Sequence, residues 1–105
     1  MSRPEETVPD ELLRQLIDLI DKLRDETGGF LDNPGDQQLW YNRGYANGML
    51  SALLRLGLAR SLGARVPDDP QGIAAQATMP WGKAYRHGEE RGSRETFEIT
   101  GNPSE

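Results

Sequence analysis

The chain of 105 residues has no cysteine and only one histidine, His87. The first absence excludes disulfides, thiol nucleophiles and thiolate metal sites. The second leaves a single imidazole, set in the polar run Arg86-His87-Gly88-Glu89-Glu90, where it reads as a solvated side chain. No run of 18 apolar residues is present, so no membrane span is expected. The opening Met1-Ser2-Arg3-Pro4-Glu5-Glu6 lacks an apolar stretch and does not resemble a signal peptide, so a cytoplasmic protein is expected. Large aliphatic residues are scarce. Leu, Ile, Val and Phe together number 21, or 20% of the chain, near the composition at which chains stop folding alone. All thirteen leucines lie between Leu12 and Leu62. Residues beyond that region must borrow a surface or stay loose.

Acids are missing from one whole segment. Residues 37–65 carry Arg43, Arg55, Arg60 and Arg65 and no Asp or Glu, whereas residues 1–36 sum to −6 and residues 66–105 to −3. A net charge of −5 disfavours non-specific nucleic-acid binding, which requires a basic face that releases counterions. The acid-free segment is expected to meet the chain's own acidic first segment, with an anionic ligand as the alternative.

What is present reads as all-α. Thr7 as cap, Pro9 in the opening turn, and Asp10 and Glu11 at the positive end of the dipole mark a helix start. Leu12, Leu16, Leu19 and Leu23, widened by Leu13, Ile17 and Ile20, form an apolar stripe of roughly 160°. Gly28-Gly29 stops this helix. Asn33-Pro34-Gly35-Asp36 is a turn that makes the next helix an antiparallel neighbour. That helix is expected from Asp36, as cap, to Leu62, with Gly63 as the stop. Its apolar residues spread around most of its circumference, so one partner cannot cover it; either the tail or another copy of the chain must. Gly44 and Gly48, four apart, permit a tight helix crossing within or between chains, although each glycine costs about 1 kcal/mol in a helix. The alternative is a helix broken there. A Tyr-x-x-Gly echo at Tyr41, Tyr45 and Tyr85, with Gly88 and Gly92 again four apart, is too short to define a repeat.

Past Ala64 the chain reads as a linker, Val66-Pro67-Asp68-Asp69-Pro70, followed by helical turns over 72–78 and a short helix over 84–91. Thr96-Phe97-Glu98-Ile99-Thr100 alternates like a short strand, placed at 95–100. The expected organisation is a flexible N-terminus (1–8), an antiparallel helical hairpin (9–63) and a mostly irregular C-terminal arm (64–105). The hairpin is expected to double into a homo-oligomeric helix bundle through Gly44, Gly48, Met49, Leu50, Leu53 and Leu56.

Catalytic patterns are absent from the sequence. There is no Gly-x-Ser-x-Gly and no phosphate-loop or dinucleotide fingerprint. Asp18, Asp21 and Asp25 share a face, as in metal-dependent helical pyrophosphohydrolases. That face is opposite the leucine stripe, and no acid between Gln37 and Pro67 can complete the ion's shell. No metal, cofactor or enzymatic role is expected. Binding is. Trp40, Tyr41, Arg43, Tyr45 and Asn47 crowd one end of the second helix, with Arg55 further along. Trp81, Tyr85, Arg86 and His87 crowd the tail. Trp, Tyr and Arg anchor interfaces, and they also clamp nucleotide-like anions. The first expectation is a non-enzymatic protein that occludes or bridges a macromolecular partner, in the style of phage or mobile-element accessory proteins. The alternative is a helical oligomer holding a small anionic ligand between subunits by Arg43 or Arg55 and a stacked aromatic.

Overall fold

The structure, a computed structural model, describes residues 8–101, all of it helix, turn or irregular segment. Helix α1 is Asp10–Glu26. A 3-10 turn, Phe30–Asp32, leads to α2, Gln37–Arg55. Two short helices follow, α3 (Ala59–Leu62) and α4 (Pro70–Ala74), and then α5, Pro80–Ile99. The expected Thr7 cap and the chain end at 102–105 lie outside the described residues, and Pro9 occupies the cap position of α1.

Local chemistry sets most boundaries. The Asp36 carboxylate accepts from the Leu39 N–H at 3.0 Å and so caps α2. Asp69 does the same for α4, accepting from Gln71 N at 3.0 Å. Pro70 and Pro80 open their helices, where a missing N–H is harmless. The second helix is shorter than its apolar pattern suggests. It stops at Arg55 because Gly57 takes φ 84°, and Gly63, at φ 61°, ends α3. Only glycine adopts these angles at little cost.

Leu13, Leu16 and Ile20 of α1 are buried with Met49, Leu50 and Leu53 of α2, and Val8, Leu58 and Leu62 close the same core. The buried stripe of α1 is rotated from the expected one, and Leu19 is 40% exposed. A second cluster joins Phe30, Trp40 and Tyr85. Phe30 meets Trp40 edge-on at 4.9 Å and stacks on Tyr85 at 6.1 Å.

The largest departure from expectation is the C-terminal region. The strand expected at 95–100 is helix to Ile99, and the arm expected to be irregular contains the longest helix of the chain. Its buried positions are Gly82, Tyr85, Gly88, Gly92, Thr96 and Phe97. The spacing is helical, but the stripe is made of glycine, tyrosine and threonine, so a search for large aliphatics passes over it.

Helix α5 covers α2 through glycine contacts. A Cβ at Gly44 would lie closer than 3.0 Å to the carbonyl group of Tyr85, and one at Gly88 would strike the carbonyl oxygen of Tyr41. A Cβ at Gly48 would strike the Glu89 carbonyl, and one at Gly92 the Tyr45 carbonyl. The pairs 44/85 and 48/89 advance together, so the helices run parallel. The contacts are also reciprocal: Tyr41 and Tyr85 exchange glycines, as do Tyr45 and Glu89, giving a local two-fold relation along the pair. The Tyr-x-x-Gly echo is this contact surface. Gly44 and Gly48 do not break α2; the tight crossing lies within the chain. Of the residues expected to pack between subunits, Met49, Leu50 and Leu53 are buried in the chain's own core, and Leu56 is half-buried beside it.

Alanine at Gly44 or Gly88 must push two backbones apart. Each substitution should cost at least ~2 kcal/mol in urea unfolding, despite the ~1 kcal/mol of helix propensity that alanine brings. Gly72→Ala, whose nearest neighbour is the Asp69 side chain at 3.8 Å, should be neutral or stabilising.

Candidate binding groove

Residues 64–79 return along the α2–α5 pair as a strap, and one side chain pins it. The Asp68 carboxylate accepts from Arg43 Nη2 at 2.7 Å and Nε at 3.0 Å, and from the Tyr85 hydroxyl at 2.8 Å. The Arg24 guanidinium stands 3.7 Å away. The Asp68 amide donates to Asn47 Oδ1 at 2.8 Å, and Asn47 Nδ2 donates to Glu89 Oε2 at 2.7 Å. Three helices therefore converge on Asp68: α1 through Arg24, α2 through Arg43 on the carboxylate and Asn47 on the amide, and α5 through Tyr85. The Arg43 and Asp68 side chains are only 14% and 9% exposed. Arg43 also donates to the Arg24 carbonyl at 3.2 Å and lies 5.0 Å from the centre of the Phe30 ring.

Beside this hub the strap, α2 and α5 enclose a hollow of about 430 Å³, lined by Asn47, Ser51, Pro67, Asp68, Pro70, Ile73, Ala74, Ala77, Tyr85, Arg86 and Glu89. A second hollow of about 650 Å³ continues along the helices past Gly48, Leu54, Arg55, Glu90, Ser93 and Arg94. Ser51 and Glu89 line both, so the two form one open groove. Its first half has an apolar wall of strap residues, and its second half carries charges of both signs.

The binding residues expected from sequence divide in two. Trp40 and Tyr85, each 1% exposed, are core, and Trp40 Nε1 donates to the Asn33 carbonyl at 3.1 Å. Arg43 and Asn47 are committed to the hub. Trp81 packs on the second core cluster and donates to Gln76 Oε1 at 3.0 Å. Tyr45 donates to Glu95. Arg55 and Arg86 are exposed along the groove, while Tyr41 and His87 line a separate hollow on the other side of the helix pair. Sequence reading missed Asp68, Ser51 and Glu89. Asp68 sits in a Pro-rich run that reads as linker, and nothing local distinguishes it from Asp69.

The acid-free segment partly finds the partners expected of it. Arg65 pairs with Asp21 of α1 at 2.7 Å, but Arg43 turns to Asp68 of the strap instead. The Arg65 guanidinium holds the Asp21 carboxyl below the usual carboxylate range. Asp18, Asp21 and Asp25 are all exposed, and among the described residues no group of three or more His, Asp or Glu could hold a metal ion. No helix of the described chain is long and apolar enough to cross a membrane. Burial, and then the hydrogen bond to Glu95, push the Tyr45 phenol up to about 12. Burial, and then the Asp68 charge, push the Tyr85 phenol far higher. Arg91 and then Tyr45 hold Glu95 low.

Asp68→Ala leaves the Arg43 guanidinium buried without its counter-charge and should cost about 3 kcal/mol in urea unfolding. Tyr85→Phe removes one hydrogen bond to the same carboxylate and should cost about 1 kcal/mol. Because folding raises the Tyr45 phenol, the stability it contributes is complete below pH 10 and is lost as the pH climbs from 10 toward 12. The urea midpoint of the wild type should therefore fall more steeply over that interval than that of Tyr45→Phe.

Comparison with known proteins adds no further guide to this groove, since no family model, curated protein or solved structure matches the chain.

Proposed function

We propose that the chain is a non-enzymatic binding protein that occludes or bridges a protein partner by seating an extended segment of it in the α2–α5 groove. The observation that carries this reading is the continuity of the two hollows through Ser51 and Glu89. From Asn47 to Arg55 the groove follows about 12 Å of helix, at about 1.5 Å per residue. That length suits roughly four residues of extended chain at about 3.3 Å each. The groups along it suit a peptide. The Ser51 hydroxyl and the Arg86 guanidinium have no partner among the described residues, and Glu89 keeps one carboxylate oxygen beyond its bond to Asn47. Donors and an acceptor on the helices therefore share the groove with apolar strap residues Pro67, Pro70, Ile73 and Ala74.

A polyanion fits this groove less well, because Glu89 and Glu90 line it beside Arg55 and Arg94. The reading with an anion clamped by Arg43 or Arg55 and a stacked aromatic loses Arg43 to Asp68 and Trp40 and Tyr85 to the core, and leaves Arg55 in a hollow shared with Glu89 and Glu90. The homo-oligomer expected from sequence rested on apolar circumference that the chain itself covers, Met49, Leu50 and Leu53 by α1 with Leu58 and Leu62, and Trp40 by Phe30 and Tyr85, so the proposed role needs no second copy.

The test is peptide display against the folded protein, with a Ser51→Trp variant that fills the groove as the counter-selection. Enriched peptides should share a sequence pattern, bind the wild type with Kd on the order of micromolar, and lose at least about ten-fold on Ser51→Trp. The two proteins should share a helical circular-dichroism spectrum. Failure to enrich any pattern, or peptides that bind the filled variant equally well, would overturn the reading.

A further inference from the structure

On the side of the helix pair away from the groove, Gln37 and Tyr41 of α2 face Pro80, Lys83, Ala84 and His87 of α5 across a hollow of about 440 Å³. We infer that this hollow binds a phosphate monoester carrying an aromatic group. The inference is independent of the groove.

The first support is charge. The chain as a whole is at −5, yet no acid lines this hollow. The neighbouring acids are engaged elsewhere. Asp36, next to Gln37, caps α2 through the Leu39 N–H. Glu89 and Glu90 line the opposite groove. Glu95 receives Arg91 at 2.7 Å and also the Tyr45 hydroxyl. Lys83 and His87 lie four residues apart on α5 and so project from neighbouring turns of the same face. Both are exposed, and neither has a partner among the described residues.

The second support is donor chemistry. The Lys83 ammonium offers three N–H groups and a compact charge, and the Gln37 amide offers two more donors. The His87 imidazole adds a ring N–H donor. A phosphate dianion, with three terminal oxygens, matches that set better than a carboxylate with two. The third support is the wall. Tyr41 is half-buried and lines the hollow, which makes it a flat surface for an aromatic group attached to the phosphate. The volume lies within the range of small-molecule sites, about 300–1,000 Å³.

The chain provides its own reporter, because its one histidine lines the hollow and gives a single set of imidazole C–H resonances in proton NMR. Phenyl phosphate titrated into the full chain at constant pH and ionic strength should move the His87 resonance along a saturating curve. Inorganic phosphate should saturate at least about three-fold more weakly, and phenol and sodium chloride should not saturate at all. Lys83→Gln, at an exposed position, should weaken phenyl phosphate at least about ten-fold, and Tyr41→Leu should remove the preference over inorganic phosphate. Unchanged circular dichroism confirms that both variants fold. A resonance that does not saturate with phenyl phosphate, or responds equally in Lys83→Gln, overturns the site. Equal affinity for inorganic phosphate overturns the aromatic ester as its ligand.

Discussion

The close approach of α2 and α5 is the constraint on which the rest depends. Two helices can bring their carbonyl oxygens against each other's Cα atoms only where no Cβ intervenes. Gly44, Gly48, Gly88 and Gly92 supply that space in two reciprocal pairs. Each glycine forgoes helix propensity and offers no side chain for a core. In return the backbones pack closely at these four positions, with Cα–H groups against carbonyl oxygens and dense dispersion contact. This explains how a chain with so few large aliphatics builds three layers, with α1 on one side of α2 and α5 on the other. It also fixes the groove, whose walls are the side chains flanking the glycine seam.

Asp68 complements that seam. Its carboxylate is nearly buried, and such a charge is tolerable only when paired and hydrogen-bonded. Arg43 and Tyr85 satisfy it, and Arg24 adds a second cation. The strap is thereby held over the helix pair by specific polar contacts, since its own apolar residues are few and mostly exposed, such as Val66 at 64%. The same network commits the polar atoms of Arg43, Asn47 and Tyr85 to Asp68 and Glu89. Polar groups along the groove outside the network include Ser51, Arg55, Arg86 and Arg94.

The helical class, the Asp36 cap, the turn at 33–36 and the tight crossing at Gly44 and Gly48 were legible in the sequence, because each follows from a local rule. The demand for extra cover on α2 was legible too, but its source was not. Helix α5 lacks the leucines that mark an amphipathic helix, and Thr96-Phe97-Glu98-Ile99-Thr100 satisfies a strand alternation by accident of composition. Its helical stripe of Gly82, Tyr85, Gly88, Gly92 and Thr96 becomes meaningful only opposite Tyr41 and Tyr45. The polar hub lay further out of reach. Pairing Arg43 with Asp68 requires knowing that a 24-residue connection between α2 and α5 folds back along both. Aromatic and arginine crowding pointed to binding, whereas Trp40, Arg43, Tyr45, Trp81 and Tyr85 make their contacts within the chain.

That connection has a consequence for synthesis. Parallel neighbours cannot be joined by a tight turn, so α5 reaches its place only after the strap has travelled back along α2. On a ribosome, the α1–α2 contact forms from chain already emerged, while the notches at Gly44 and Gly48 stand open until the last helix follows. During that interval the unfinished chain exposes a surface shaped for a glycine-bearing helix. The seating of α5 is therefore expected to be the step that completes the fold.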